Sequence, residues 1–182
     1  MLTDEQRSKI AKRSSAKGGE YERRVAKLIA GYFGLDWGKA FLRTKRTTGG
    51  QPHGDLKPID DMYMIWKGSG YGTIECKCRK EWSFNEIFKN PAKCSIADYW
   101  LKSCVDTNDE RTIVCFTKAG VTDYVLFPLY DLGSSSPKDF TFPHIILPLN
   151  GRFFMISTLK DFLRYTWPNE PPHVLPSEET PS

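Results

Sequence analysis

The sequence predicts a mixed α/β domain, a mixed central sheet flanked by helices. Three observations predict it. An apolar stripe of helical period runs from Lys17 to about Phe33. Short runs rich in β-branched and aromatic residues follow, among them "TIECKCR", "RTIVCFT" and "DYVLFPL". Two helical stretches, "SFNEIFKN" and "CSIADYWLKSCV", fall between the first of those runs and the second. The resulting order of helix, strands, helices, strands and helix is that of a mixed sheet with crossover helices.

Taken in order, residues 1–16 read as a basic N-terminal arm, either a mobile lead-in or a loosely held helix. The helix that follows carries Val25, Ala26, Leu28, Ile29, Tyr32 and Phe33 on its stripe, and Gly34 stops it. A strand is expected around 39–44, then the basic, turn-rich loop "TKRTTGGQPHG". Asp55 opens a second extended segment, and "DDMYMIWKG" alternates as a strand does. "SGYG" turns the chain into "TIECKCR". Ser83 is an N-cap for the next helix, and Pro91 separates it from its successor. "HIILPL" and "RFFMIS" are joined by Asn150-Gly151, the pair favoured by tight hairpin turns. A last short helix begins near Thr158, which has capping-box spacing to Asp161. The principal domain thus spans 17–167, and the Pro-rich segment 168–182 is expected to be disordered.

Charge narrows the function. Residues 1–50 hold twelve Lys and Arg against five acids, a surplus of seven, while the whole chain nets only +4. A basic front end points to a polyanionic partner, nucleic acid before membrane. No apolar run approaches the roughly 18 residues needed to span a bilayer, and "MLTDEQRSKI" lacks a signal peptide's apolar core. A cytoplasmic protein is therefore expected. Five cysteines, an odd number, suggest no disulfide framework.

The chemistry concentrates in a few acids and a lysine. Residues i and i+2 of a strand share a face, so Glu75-Cys76-Lys77 presents an acid and an ammonium together and sends Cys76 and Cys78 the other way. Such pairs also decorate many solvated strands. Asp55 lies directly after a glycine-rich loop, where adjacent strands bring it beside Glu75; the alternative is a turn acid capping its own backbone. Helix phase supplies a third acid. With Glu22 at zero, Val25 falls at about −60°, Ala26 at +40°, Ile29 at −20° and Phe33 at +20°, whereas Glu20 falls near 160°. Glu22 therefore sits on the apolar stripe, where a carboxylate needs a partner such as a metal ion, or else the dipole of an exposed first turn.

Assembled in this order, "KGGEYERRVAKLI", "RTTGGQPHGDL" and "GTIECKCRK" resemble the PD-(D/E)xK nuclease superfamily. Within it they are similar to the archaeal and phage-type Holliday-junction resolvases, over roughly residues 17–80 and more weakly to about 130. The opening motif of those resolvases falls on Lys17, Gly18, Glu22 and Arg23. Their basic and hydroxylic loop residues fall on Arg43, Arg46, Thr47 and Thr48. Gly54 stands where the motif has proline, the segment 57–72 is longer than in the smallest resolvases, and residues 130–182 lie beyond the match.

The resemblance implies a restriction-endonuclease-like core and a metal-dependent DNA endonuclease acting on branched DNA, foremost four-way junctions. It implies Glu22, Asp55, Glu75 and Lys77 as catalytic residues. Asp55, Glu75, the Cys76 main-chain carbonyl and Glu22 would bind Mg²⁺ or Mn²⁺, and Lys77 would orient the hydrolytic water. Lys17, Arg23, Arg43, Arg46, Thr47 and Thr48 would grip phosphates, as would Lys80 if it is not merely solvated. It implies a homodimer, since two strands of a junction are cut symmetrically; no membrane partner is expected from the charge and the lack of an apolar span. If phage-encoded, the protein would work in the host cytoplasm.

Other features invite competing readings. Cys76, Cys78, Cys94, Cys104 and His53 suggest zinc ligands, but the spacing favours small packing residues. Trp82, Phe84, Phe88, Tyr99 and Trp100 have the helical spacing of core or dimer contacts, with base stacking the alternative. A nuclease of the same fold acting on ends, single strands or restriction-like sites is the nearest rival. A non-catalytic DNA-binding accessory is the rival of a different class. The helix phase makes one sharp prediction: Glu20→Gln leaves DNA cleavage within a few-fold and Glu22→Gln nearly abolishes it. Equal losses in the same assay would show the phase to be wrong.

Overall fold

The computed structural model describes residues 3–43, 55–79, 82–118, 122–129, 140–149 and 151–168. The first helix, α1 (Asp4–Tyr32), begins far earlier than its apolar stripe. Thr3 caps it, accepting from the Gln6 N–H while the Gln6 side chain accepts from the Thr3 N–H, and Asp4 and Glu5 complement the dipole of the first turn. The helical alternative for residues up to 16 is the one seen, and the helix runs through 16–17 without a break. Its early turns are exposed; burial starts at Gly19 and Tyr21.

A single turn, α2 (Trp37–Ala40), capped by Asp36, leads into β1 (Phe41–Arg43). The strand expected over 39–44 thus begins later, at Phe41, because Asp36 accepts from the Gly38 N–H and winds the chain first. The basic loop with Arg46, Thr47, Thr48 and His53 lies outside the described residues, as does Lys80. Asp55 leads into β2 (Leu56–Pro58).

The expected strand "DDMYMIWKG" is instead a helix, α3 (Asp60–Gly68). Its apolar residues at 62, 64 and 66 mimic strand alternation, but Met62 and Trp66 are also one helical turn apart and both are buried, while Met64 is 67% exposed. Asp60 and Asp61 in the first turn and Lys67 in the last suit the helix dipole. Then come β3 (Ile74–Cys78), α4 (Phe84–Lys89) capped by Ser83, a 3₁₀ turn at Pro91–Lys93 and α5 (Ser95–Thr107). Next come β4 (Ile113–Thr117), β5 (Tyr124–Pro128), β6 (Ile145–Leu149), β7 (Arg152–Thr158) and α6 (Leu159–Thr166), the last capped by Thr158 as expected. Gly151 takes the positive φ that the β6–β7 turn requires.

These strands form one seven-stranded sheet in the order β1-β2-β3-β4-β5-β7-β6. Only β3 and β4 are parallel, with α4 and α5 making the crossover between them. One face packs Val25, Ala26 and Ile29 of α1 with Ile74, Cys76, Cys115, Phe127 and Phe162. The other packs Ile87, Ile96 and Trp100 of α4 and α5 against Val114, Phe116, Leu126 and Phe154. Strands β4 and β5 alternate between the two cores and are buried on both sides. The result is the mixed sheet flanked by helices that the sequence predicts, consistent with a restriction-endonuclease-like core.

The helical reading of α3 has a direct consequence. Met62→Ala should cost about 2–5 kcal/mol of unfolding free energy, whereas Met64→Lys should stay within roughly 0.5 kcal/mol. Urea melts of both variants check it; a strand would have made the two positions equivalent.

Candidate active site

The site is built around β3. Ile74, Cys76 and Cys78 turn toward the α1 face, and Glu75 and Lys77 occupy the alternate positions. Glu75 is only 7% exposed, a depth at which a carboxylate needs a partner, and its Oε1 is paired with the Lys77 ammonium. Asp55, just before β2, reaches across to the same strand: its Oδ2 accepts the Cys76 N–H at 2.8 Å. Leu56 is paired with Ile74 in the antiparallel β2–β3 register, so Asp55 arrives beside Glu75. The sequence expectation of adjacent strands joining these two acids matches this placement.

Glu22 is partly buried on α1 and Glu20 is exposed, as the helix phase predicts. Glu22 is held by Arg43 of β1, whose Nε and Nη2 both donate to Glu22 Oε2, at 2.9 and 2.6 Å. Arg43 thus has a carboxylate partner as well as its expected place near phosphate. Lys17 and Arg23 are exposed on α1.

Gly19 was not singled out by sequence reasoning, yet it makes room for the Arg43 pair. A methyl group there would lie 2.7 Å from Arg43 Nη2. Glycine within a helix costs about 1 kcal/mol relative to alanine, so the second glycine of "KGGE" was the available signal of a close approach. A second missed contact, Arg24 to Asp123 at 2.5 Å, ties α1 to the start of β5.

The three acids share one neighbour. Burial pushes the Cys76 thiol well above its ordinary range, and Cys115, Asp55, Glu75 and Glu22 push it further in that order. Cys76 is therefore a neutral packing group, ringed by negative charge. All five cysteines are free thiols, and Cys76 faces Cys115 across the β3–β4 register. Trp82 and Trp100 are buried in the second core with Phe84 and Tyr99 packed against it, while Phe88 is exposed.

The donor chemistry fits a hard divalent cation: carboxylate oxygens and a strand carbonyl, with hydrogen bonds already orienting the carboxylates. As placed, these side chains engage Arg43, Cys76 and Lys77, and among the described residues no three acidic, histidine or cysteine side chains are gathered tightly enough to hold an ion.

A buried glutamate paired with a half-buried lysine on a central strand, braced by an aspartate at the entry to the neighbouring strand, is an arrangement suited to hydrolytic nuclease chemistry. Residues 13–166 match the model of the family described as phage putative PDDEXK endonuclease, and the chain belongs to that family. This places it in the PD-(D/E)xK superfamily and indicates an endonuclease with DNA as its substrate class. No curated protein and no solved structure is found to match the chain. Among the described residues, no helix is long and apolar enough to cross a membrane.

The neutral thiol at the centre of the site yields a pH prediction. A group whose pKa is raised by folding stabilises fully below its unfolded value, near 8.5 for cysteine, and that contribution is lost as pH climbs toward the folded value. Between pH 9 and 10 the wild type should therefore lose about 1 kcal/mol more stability than Cys76→Ala. Urea midpoints at the two pH values measure the difference, and parallel slopes would show a thiol that ionises freely in the fold.

Proposed function

We propose that this protein is a divalent-metal-dependent DNA endonuclease that hydrolyses phosphodiester bonds in branched DNA, with four-way junctions its preferred substrate. The hydrogen bond from Cys76 N–H to Asp55 Oδ2 carries the reading, because it brings the loop aspartate to the strand that presents Glu75 and Lys77. Asp55, Glu75 and the Cys76 main-chain carbonyl would hold Mg²⁺ or Mn²⁺, with Glu22 joining them on release from Arg43. When bound, the ion supplies Lewis acidity toward the phosphate and a more acidic water.

The remaining steps belong to the chain itself. Asp55 and Glu75 orient their oxygens, Asp55 through the Cys76 N–H and Glu75 through Lys77. Lys77 positions the attacking water and faces the negative charge that develops on phosphate. Arg43 keeps Glu22 from standing as an unpaired acid on the apolar stripe. Lys17, Arg23, Arg43, Arg46, Thr47, Thr48 and Lys80 contact the DNA backbone, so affinity falls with salt. Symmetric cutting calls for a homodimer, for which Leu101 and Val105, exposed one turn apart on α5, offer an apolar stripe. Membership of a phage family fits work in the host cytoplasm.

The test is cleavage of a four-way junction and a matched linear duplex with Mg²⁺. The wild type should favour the junction and nick paired strands symmetrically. Asp55→Asn, Glu75→Gln and Lys77→Ala should each lose at least about a hundredfold in rate while still binding DNA. Equal cutting of linear duplex would replace the junction with ends or restriction-like sites. Binding without cleavage by any of the four proteins would leave a DNA-binding accessory.

A further inference from the structure

We propose that the pocket between β2, α3 and the turn before β3 receives an unpaired nucleotide of the DNA strand being cut. The substrate would then need single-stranded character beside the scissile bond. The proposal rests on the nuclease reading of Asp55, Glu75 and Lys77, and it adds a recognition element to it.

The pocket holds about 320 Å³, within the range of small-ligand sites, and its lining combines flat aromatic and cationic groups. Trp66 forms a fixed floor. Its indole N–H donates to the Gly72 carbonyl at 2.7 Å, and its ring lies 5.5 Å from that of Trp167. Tyr71 is held from behind by Phe127 and Phe162, at 5.9 and 5.3 Å between ring centroids. Tyr63, by contrast, is 50% exposed, with the Lys67 ammonium 5.9 Å from its ring centroid. Lys57, Lys67 and Arg111 are exposed around these rings. Arg111 is paired with Asp109, and among the described residues Lys57 and Lys67 form no ion pair with a carboxylate.

An accessible ring beside unneutralised cations is the combination that binds a base by its π-face and its phosphate by charge. An acidic peptide would satisfy the lysines but leave the rings without a matching surface.

Position links the pocket to the site. Lys57 follows Asp55 by two residues, with buried Leu56 between them, so their Cα atoms are at most about 7 Å apart. Lys57 and Tyr63 both line the pocket, so in this proposal a strand whose phosphate lies at Asp55 would set its neighbouring nucleotide there. A base paired within a duplex is stacked away from such a pocket, and freeing it costs a few kcal/mol. Strands already unpaired at a branch escape that cost.

Binding is measured by fluorescence anisotropy on the full chain in EDTA, where metal-dependent cleavage does not intervene. The probes are a labelled single-stranded hexathymidylate, a labelled duplex of mixed sequence, and unlabelled thymidine monophosphate as competitor. Tyr63→Ala and the Lys57→Ala/Lys67→Ala pair should each weaken the single strand about tenfold, with Tyr63→Ala leaving duplex affinity unchanged. Both sets of substitutions are on exposed side chains, and circular dichroism confirms the fold. Unchanged single-strand affinity, or an equal loss for duplex, would overturn the proposal. Competition by the monophosphate as tight as by the hexamer would overturn it too, in favour of a free-nucleotide site. If no DNA is ever cleaved the nuclease reading falls, yet these affinities still decide whether the pocket takes an unpaired base.

Discussion

The backbone N–H of Cys76 is the point on which the rest of the site depends. It donates to Asp55 and so ties the residue that enters β2 to the middle of a buried strand. The residues on either side of it are Glu75 and Lys77, already paired with each other. A strand offers this arrangement because its side chains alternate while its N–H groups point sideways. One residue thus supplies the anchor, and its neighbours supply the acid and the base. The same main-chain unit carries the carbonyl that the proposed mechanism gives to the metal.

Such a concentration of charge needs a rigid and apolar setting. β3 is paired on one side with β4, which is buried between two cores, and on the other with the short β2. Cys76 and Cys115 fill the α1 face at this level as neutral thiols, so no further negative charge is added beneath the carboxylates. The Arg43 guanidinium meets Glu22 on that face, in the space left by Gly19. The pocket at Tyr63 lies farther along the same β2–β3 pair, which makes position along these two strands the common coordinate of the proposed chemistry and the proposed recognition.

Much of the fold was legible because local patterns agreed with tertiary burial. Glu22 and Glu20 separated correctly by helix phase, since only one stripe of α1 meets the sheet. The β6–β7 hairpin and the Thr158 cap followed from turn and cap chemistry alone. The segment 60–68 was misread because Met62, Met64 and Trp66 satisfy two periods at once. Which period holds depends on whether Met64 finds a core to enter, and that is a property of the neighbouring elements rather than of the nonapeptide.

By itself the sequence determined the class of fold and the phase of α1, because these follow from periodicity and spacing, and it nominated Glu22, Asp55, Glu75 and Lys77 as candidates by their side-chain chemistry. It also carried the family motifs in their order. Only the tertiary structure decided who holds whom: Arg43 with Glu22, Asp55 with the Cys76 backbone, Arg24 with Asp123. Those pairs join residues 21, 21 and 99 positions apart. Distance along the chain says nothing about which charges a twisted sheet will bring within three ångströms, and the pocket beside them exists only where β2, α3 and the entry to β3 close around it.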